Sequence, residues 1–247
     1  MKISVVTPTI REDGLGIVKT CLDRQVFKDF EWLVVSPSWD HLWLIIDKDN
    51  YNHVPEPAKR DGDNYALNKA WNAAFRQAKG DLIVSIVDLL WFPPDVLEKL
   101  WNHYQTNPFS CIGGIGHQYN QVVNGKPETM VWRDPRMREQ SFYEVSPMDY
   151  ELCLASIPRK AILGVGGVEE EFDKYAALSE KEMCMRIVRL GYKFFIDQTI
   201  EYRAIKHDRL TKDWDERYQK GIVYFNECLK SIQEGKRLKL DHLVDSS

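Results

Sequence analysis

Long apolar runs are missing from this sequence. No segment approaches the roughly 18 consecutive apolar residues that a membrane-crossing helix needs. The opening MKISVVTPTI has only a few apolar residues before Thr7 and Pro8, too few for the core of a secretory leader. Cysteine is sparse and unpatterned. The five residues Cys21, Cys111, Cys153, Cys184 and Cys228 are an odd number with no C-x-x-C spacing. Reduced thiols in a cytoplasmic protein are the expectation. A strong charge of one sign is also lacking. The net charge is −4, so no global field steers the chain towards nucleic acid or an anionic membrane. There is no internal repeat, no low-complexity tract and no Pro/Gly/Ser linker. One continuous domain therefore suits the 247 residues. A Gly-rich phosphate loop with its Lys is absent near the amino terminus, which argues against nucleotidyl transfer. Tryptophan, by contrast, is plentiful, at eight residues. Surplus aromatics serve as core or as apolar platforms for sugars.

Periodicity gives the layout. Residues 2–7 (KISVVT) read as a buried strand stopped by Pro8. Residues 14–27 have helical spacing through Leu15, Val18, Leu22 and Val26. EWLVVS (31–36) is a second strand, LWLIID (42–47) is a possible third, and the polar stretch 48–62 reads as loop. Tyr65, Leu67, Ala70, Trp71, Ala74 and Phe75 mark an amphipathic helix over 64–78, with Gly80 as its expected cap. DLIVSIVD (81–88) is a strand, and Pro93 and Pro94 open a helix to about 105. Such alternation predicts an α/β fold: a mostly parallel central sheet with helices on both faces, whose ligands sit beyond the carboxyl ends of the strands. Asp88 stands at one such end, followed by Leu89, Leu90 and Trp91. A second half contributes a Gly166-Gly167 turn, a helix over 179–190, strands at 192–197 and 200–207, and a tail helix at 211–235. The S-x-x-E sequence Ser179 to Glu182 reads as a capping box.

Three stretches together resemble the family 2 glycosyltransferases of the GT-A fold. The first is ISVVTPTI with EWLVVSPS. The second is GDNYALNKAWNAAFRQAKGDLIVSIVDLLWFPPDVLEKL, similar to that family's Gly-x-x-x-Ala-x-Asn helix, its Asp-x-Asp and its Pro-Asp-x-Leu. The third is SIPRKAILGVGGVEEEF with SEKEMCMRIVRLGYKFF and a later His. The resemblance covers about residues 2–207. It implies a catalytic domain over 1–210, a nucleotide-binding half joined to an acceptor half, with residues 211–247 as a helical tail on the same domain. The implied activity is inverting transfer of a sugar from a nucleotide-diphosphate sugar, a UDP-sugar foremost, to an acceptor hydroxyl. The alternative is a non-catalytic nucleotide-sugar-binding relative.

Site residues follow from the resemblance, position by position. Glu180 falls on the catalytic base. Thr7, Pro8, Thr9, Arg11, Ser36, Asp63, Asn68 and Asp88 fall on the donor contacts. Ser36-Pro37 replaces the usual Asp-Asp of the second strand turn, and Leu90 replaces the second Asp of Asp-x-Asp. A divalent ion, Mg²⁺ or Mn²⁺, would rest on Asp88, His207 and diphosphate oxygens; otherwise Lys or Arg side chains carry that charge. Trp91, Gly167, Glu169 and Trp132 are candidate acceptor or sugar contacts, with His117 and Arg133 beside them. The acceptor is a glycan or another hydroxyl compound. A modified DNA base would need a basic face, for which Lys126, Arg133, Arg136 and Arg138, then Arg203, Lys206, Arg209 and Lys212, are available. The tail's mixed charge allows at most a peripheral membrane contact.

Overall fold

The computed structural model describes all residues except 12–13, 39–41, 43–44, 124, 208–212 and 244–247. In chain order the strands are β1 (Ile3–Pro8), β2 (Phe30–Ser36), β3 (Tyr51–Pro55), β4 (Leu82–Ile86), β5 (Leu90–Trp91), β6 (Ser110–Tyr119), β7 (Val122–Val123), β8 (Lys126–Pro127), β9 (Met130–Trp132), β10 (Phe142–Val145), β11 (Leu154–Pro158) and β12 (Lys193–Ile205). The helices are α1 (Leu15–Asp23), α2 (Leu67–Gln77), α3 (Val96–Thr106), α4 (Arg159–Val165), α5 (Ser179–Arg189) and α6 (Trp214–Gln233).

Side chains alternate across a strand, and in β1 this sorts the molecule into two cores. Ile3 and Val5 face α1 and α3, where Leu15, Val18, Leu22, Val96, Leu97 and Leu100 are buried with Trp32. Val6 faces α2, α4 and α5, where Trp71, Ala74, Phe75, Ile162, Met183 and Ile187 are buried. One sheet thus separates two apolar layers, as expected for a chain whose central strands are buried on both faces.

The sheet runs β10-β12-β6-β11-β4-β1-β2-β3. β3, β2, β1 and β4 are parallel. β11 enters antiparallel between β4 and β6, and β12 lies parallel to β6. The parallel half is the strand–helix alternation of the sequence. The reversed β11 lies ahead of the Gly166-Gly167 turn, in a stretch for which no strand was expected.

Four local expectations are corrected. The third strand is not at 42–47. There the N–H groups of Ile45 and Ile46 turn back to the Leu42 carbonyl, and residues 43–44 lie outside the described residues. The strand is Tyr51–Pro55, inside the stretch read as loop. It buries only Tyr51 and Val54, so its apolar signal is faint. Gly80 does not cap α2, whose C-cap is Ala78. It sits where a Cβ would lie 2.4 Å from the Ser4 backbone nitrogen, and its N–H donates to Ser4 Oγ at 2.8 Å. Glycine is required there for close approach to β1. The two strands at 192–197 and 200–207 are one strand, β12, with a bulge between Ile196 and Glu201. The capping box at Ser179 does not form, because the N-cap of α5 is Leu178 in the left-handed region.

α2 has no side-chain cap of its own. Asp173, 105 residues away, supplies one: its carboxylate accepts from Asn68 N at 2.8 Å and Lys69 N at 3.3 Å. The tail is tied down as well. Leu240 N donates to Val165 O at 2.9 Å, Arg76 Nη1 donates to His242 O at 2.6 Å, and Leu243 packs against the α2/α5 core.

Candidate active site

The carboxyl ends of β1 and β4 lie side by side, and the chain leaves both ends in the same direction. From β1 comes Thr9, fixed by its N–H to Val35 O at 2.9 Å. From β4 comes Asp88. Thr9 Oγ1 donates to Asp88 Oδ2 at 2.5 Å. Arg11 Nη1 donates to Asp88 Oδ2 and Oδ1 at 3.2 and 3.3 Å. Gly14 permits this arrangement, since a Cβ there would come within 2.8 Å of Asp88 Cβ. The carboxyl end of β12 arrives beside them. Ile205 N donates to Leu89 O at 3.0 Å and Lys206 N to Tyr119 O at 2.8 Å. His207 follows, its Nδ1 3.1 Å from Arg11 Nη2. Residues 9, 11, 88 and 207 therefore meet at one edge of the sheet.

Asp88 is followed by a turn in which Leu89 has φ 58, a conformation that costs a non-glycine residue free energy. The turn puts Leu90 into the α1/α3 core, 2% exposed. Trp91 is half-buried. Arg203 lies over its ring at 5.6 Å, and Gly125, at the β7–β8 turn, rests against the indole. Trp132 is 45% exposed on β9. His117 is buried and accepts from Asp134 N through Nδ1 at 3.1 Å.

Glu180 occupies the first turn of α5 and is half-exposed, with Lys181 Nζ 3.9 Å away. The two residues before α5, Ala177 and Leu178, have φ of 112 and 76. A strained entry of this kind persists only when surrounding structure over-determines it. Desolvation first, then the charges of Glu151 and Glu180, push the Cys153 thiol up to about 12. The Cys153 carbonyl accepts from Val87 N, next to Asp88, at 3.0 Å.

The remaining sequence-selected side chains are engaged within the fold. Thr7 is buried, and its Oγ1 accepts from Trp32 Nε1 at 2.9 Å. Pro8 ends β1, also buried. Ser36 Oγ donates to Pro37 O at 3.0 Å. Asp63 pairs with Lys69, which together with a bond from Arg60 N holds its carboxyl below the usual range despite desolvation. Asn68 is buried and donates to Asp173 Oδ1 at 2.9 Å. Gly167 has φ 84, and a Cβ there would lie 2.3 Å from Asn72 Oδ1. Glu169 is paired with Arg237 and lies 3.5 Å from His242 Nε2. Although burial opposes it, these partners hold Glu169 down at about 2. Glu169 thus fastens the tail and offers no open carboxylate to a sugar.

Sequence reasoning missed the ionic cluster beneath this wall. Glu182 and Arg186 are fully buried and paired at 2.7 Å. Arg186 Nη2 donates to Gly167 O at 2.8 Å, and Arg237 reaches Glu182 at 3.1 Å. The i,i+4 spacing of Glu182 and Arg186 was the available signal; their burial was not readable. Two hollows lie elsewhere. One of about 550 Å³ is bordered by β10 and the end of α5, and one of about 380 Å³ is bordered by Met1, Asp23, Phe30 and Lys48. Neither is lined by any residue of the Asp88 group.

Among the described residues, the donors at Asp88 and His207 do not fit a divalent ion held by protein ligands alone. Asp88 and His207 are both bonded to one guanidinium. Among the described residues no group of three or more His, Cys, Asp or Glu side chains comes together for a metal.

In a sheet of parallel strands the ligand site lies beyond the carboxyl edge, where the Asp88 turn stands. The chain belongs to glycosyl transferase family 2, whose model matches residues 4–164. The fold is also that of S. aureus TarS. The TarS 1-349 structure in complex with UDP-GlcNAc aligns with a TM-score of 0.62 at 17% identity, over 85% of this chain and 60% of that one. The TarS 1-349 complex with UDP aligns with a TM-score of 0.61 at 17% identity, over 83% of this chain and 61% of that one. The S. aureus TarS structure aligns with a TM-score of 0.59 at 18% identity, over 83% of this chain and 37% of that one. The chain thus spans about three fifths, or less, of these TarS structures. No curated protein matches the sequence.

Proposed function

We propose that the chain is an inverting glycosyltransferase that uses a nucleotide-diphosphate sugar. Family membership supports the donor class, and the UDP-GlcNAc and UDP bound to S. aureus TarS support a uridine nucleotide. One observation carries the proposal: Thr9, Arg11, Asp88 and His207 meet at the carboxyl edge of the parallel strands.

The acceptor hydroxyl oxygen attacks the anomeric carbon from the face opposite the diphosphate. A carbon–oxygen bond forms to the acceptor as the bond to the diphosphate oxygen breaks, and that electron pair leaves with the diphosphate. The hydroxyl proton passes to a Glu180 carboxylate oxygen. Configuration inverts because attack and departure are on opposite faces. Trp132, exposed on β9, and the partly buried Trp91 are the aromatic rings that would serve as platforms for a sugar.

A glycan acceptor is favoured over DNA. Of the basic residues available, Arg136, its side chain 11% exposed, is paired with Asp134 at 2.6 Å, and Arg203 is spent on Trp91 and Gly125. Arg209 and Lys212 lie outside the described residues. The five free cysteines support a reducing, cytoplasmic setting. Among the described residues no helix is long and apolar enough to cross a membrane.

The test is a panel of nucleotide-sugars, read by thermal shift for binding and by nucleotide-diphosphate release for turnover. A Tm rise with release selects the transferase. Binding without release, with any acceptor offered, selects the non-catalytic relative. No binding of any nucleotide-sugar overturns both.

A further inference from the structure

The Asp88 carboxylate carries an internal cation. Arg11 Nη1 lies 3.2 Å from Oδ2, and Arg11 Nη2 lies 3.1 Å from His207 Nδ1. A guanidinium has only N–H donors, so Nδ1 is the acceptor and bears no proton there. The two side chains that family resemblance offers to a metal are thus joined by a positive group belonging to the chain. A metal ion on Asp88 needs an oxygen at about 2.0–2.2 Å and a nearly complete oxygen shell. It would have to evict the guanidinium or sit against a like charge. The second carboxylate that would favour eviction is replaced by Leu90, which is turned into the core.

Exposure differs across the group. Asp88 is 7% exposed, while the Arg11 side chain is 24% exposed and sits on a loop braced by Thr9 Oγ1, which accepts Arg11 N at 2.9 Å. Arg11 therefore stands between a buried acid and open solvent at the strand ends. Its planar fork matches two phosphate oxygens, and a diphosphate offers more negative charge than one carboxylate.

Resting on the donor reading above, we infer that Arg11 is the diphosphate-binding cation of this site, taking the place of a metal held by paired carboxylates. With no donor its charge is shared by Asp88 and His207. With a nucleotide diphosphate bound, its N–H groups turn to the phosphate oxygens and stabilise the charge that the departing diphosphate gains. Glu12, Asp13 and Asp208, which adjoin Arg11 and His207 in sequence, lie outside the described residues. A metal site built with them is the rival that the experiment addresses.

Binding of UDP and of uridine to the full chain is measured by calorimetry, in EDTA and with Mg²⁺ or Mn²⁺ added, for wild type, Arg11→Ala and Arg11→Lys, with folding checked by circular dichroism. Wild type is expected to bind UDP in EDTA, with metal changing Kd by less than about threefold. Arg11→Ala should weaken UDP by about 10- to 100-fold, the range of a charge-assisted pair, and leave uridine unchanged. Arg11→Lys, a point charge without the fork, should fall between. UDP binding that vanishes in EDTA and returns with metal overturns the inference while leaving the donor reading intact. Equal loss of UDP and uridine binding in Arg11→Ala also overturns it. If neither UDP nor ADP, GDP or dTDP binds wild type in either condition, the donor reading itself fails.

Discussion

Replacing Asp173 by Asn tests how the wall of the site is joined to α2. Burial, opposed by the N–H groups of Asn68 and Lys69 and aided by the nearby Asp63 charge, pushes the Asp173 carboxyl from 3.8 up to about 7. Ionising it in the folded chain then costs at most about 4 kcal/mol more than in the unfolded one. Because the folded value is raised, the stabilising contribution is complete below about pH 4 and is lost as pH rises towards 7. A chain of this size moves its Tm by about 2–4 °C per kcal/mol. Wild type should therefore lose up to about 8–16 °C between pH 4 and 8 through this group alone. Asp173→Asn keeps one oxygen for Asn68 N but turns an NH₂ towards Lys69 N, a pH-independent cost of about 1–3 kcal/mol. The informative quantity is the difference between the two Tm–pH curves. The variant should be the less stable at pH 4 and should close the gap, or overtake, by pH 8. Parallel curves across that range would refute the raised carboxyl and with it the account of a buried acid capping α2.

Glu180→Gln should lower turnover by about 10²–10⁴ while UDP still binds; unchanged turnover in a coupled nucleotide-release assay would remove Glu180 from the mechanism. Glu182→Gln strips the partner from buried Arg186 and should cost about 3–5 kcal/mol in urea unfolding, whereas a surface-sized loss would show the cluster to be solvated. Gly167→Ala forces a side chain into φ 84 and against Asn72 Oδ1, so a loss of about 1–3 kcal/mol is expected in the same assay. Glu169, held at about 2, supplies stability that is present above its ordinary value and lost as pH falls from about 4.5 towards 2. Acid unfolding of Glu169→Gln should therefore be shallower than that of wild type over that window.

Much of the scaffold was legible because burial on both faces leaves a plain record. β1, β2 and β4 are mostly apolar and buried at every position, and the stripe of α2 has helical spacing. β3 was not legible, since an edge strand that buries two of five residues looks like a loop. β11 was hidden for another reason, because strand direction is set by partners and not by local pattern. In the site, Asp88 stood out as a lone acid ending an apolar strand. Its bond to Arg11 joins residues 77 apart, and the Arg11–His207 contact joins residues 196 apart. No periodicity encodes such pairs, and only family resemblance suggested His207. The side chains of Asn68, Asp63 and Glu169 were assigned outward by motif, yet each found a partner inside the protein that no window of sequence contains.

Leu90 limits what can be built at this edge of the sheet. An acid introduced at that position would leave an unpaired carboxylate in the apolar layer that holds Ile86, Phe92 and Leu100, at a cost of several kcal/mol. An engineer who wants a metal-tuned variant does better to leave position 90 alone and recruit the loops around it.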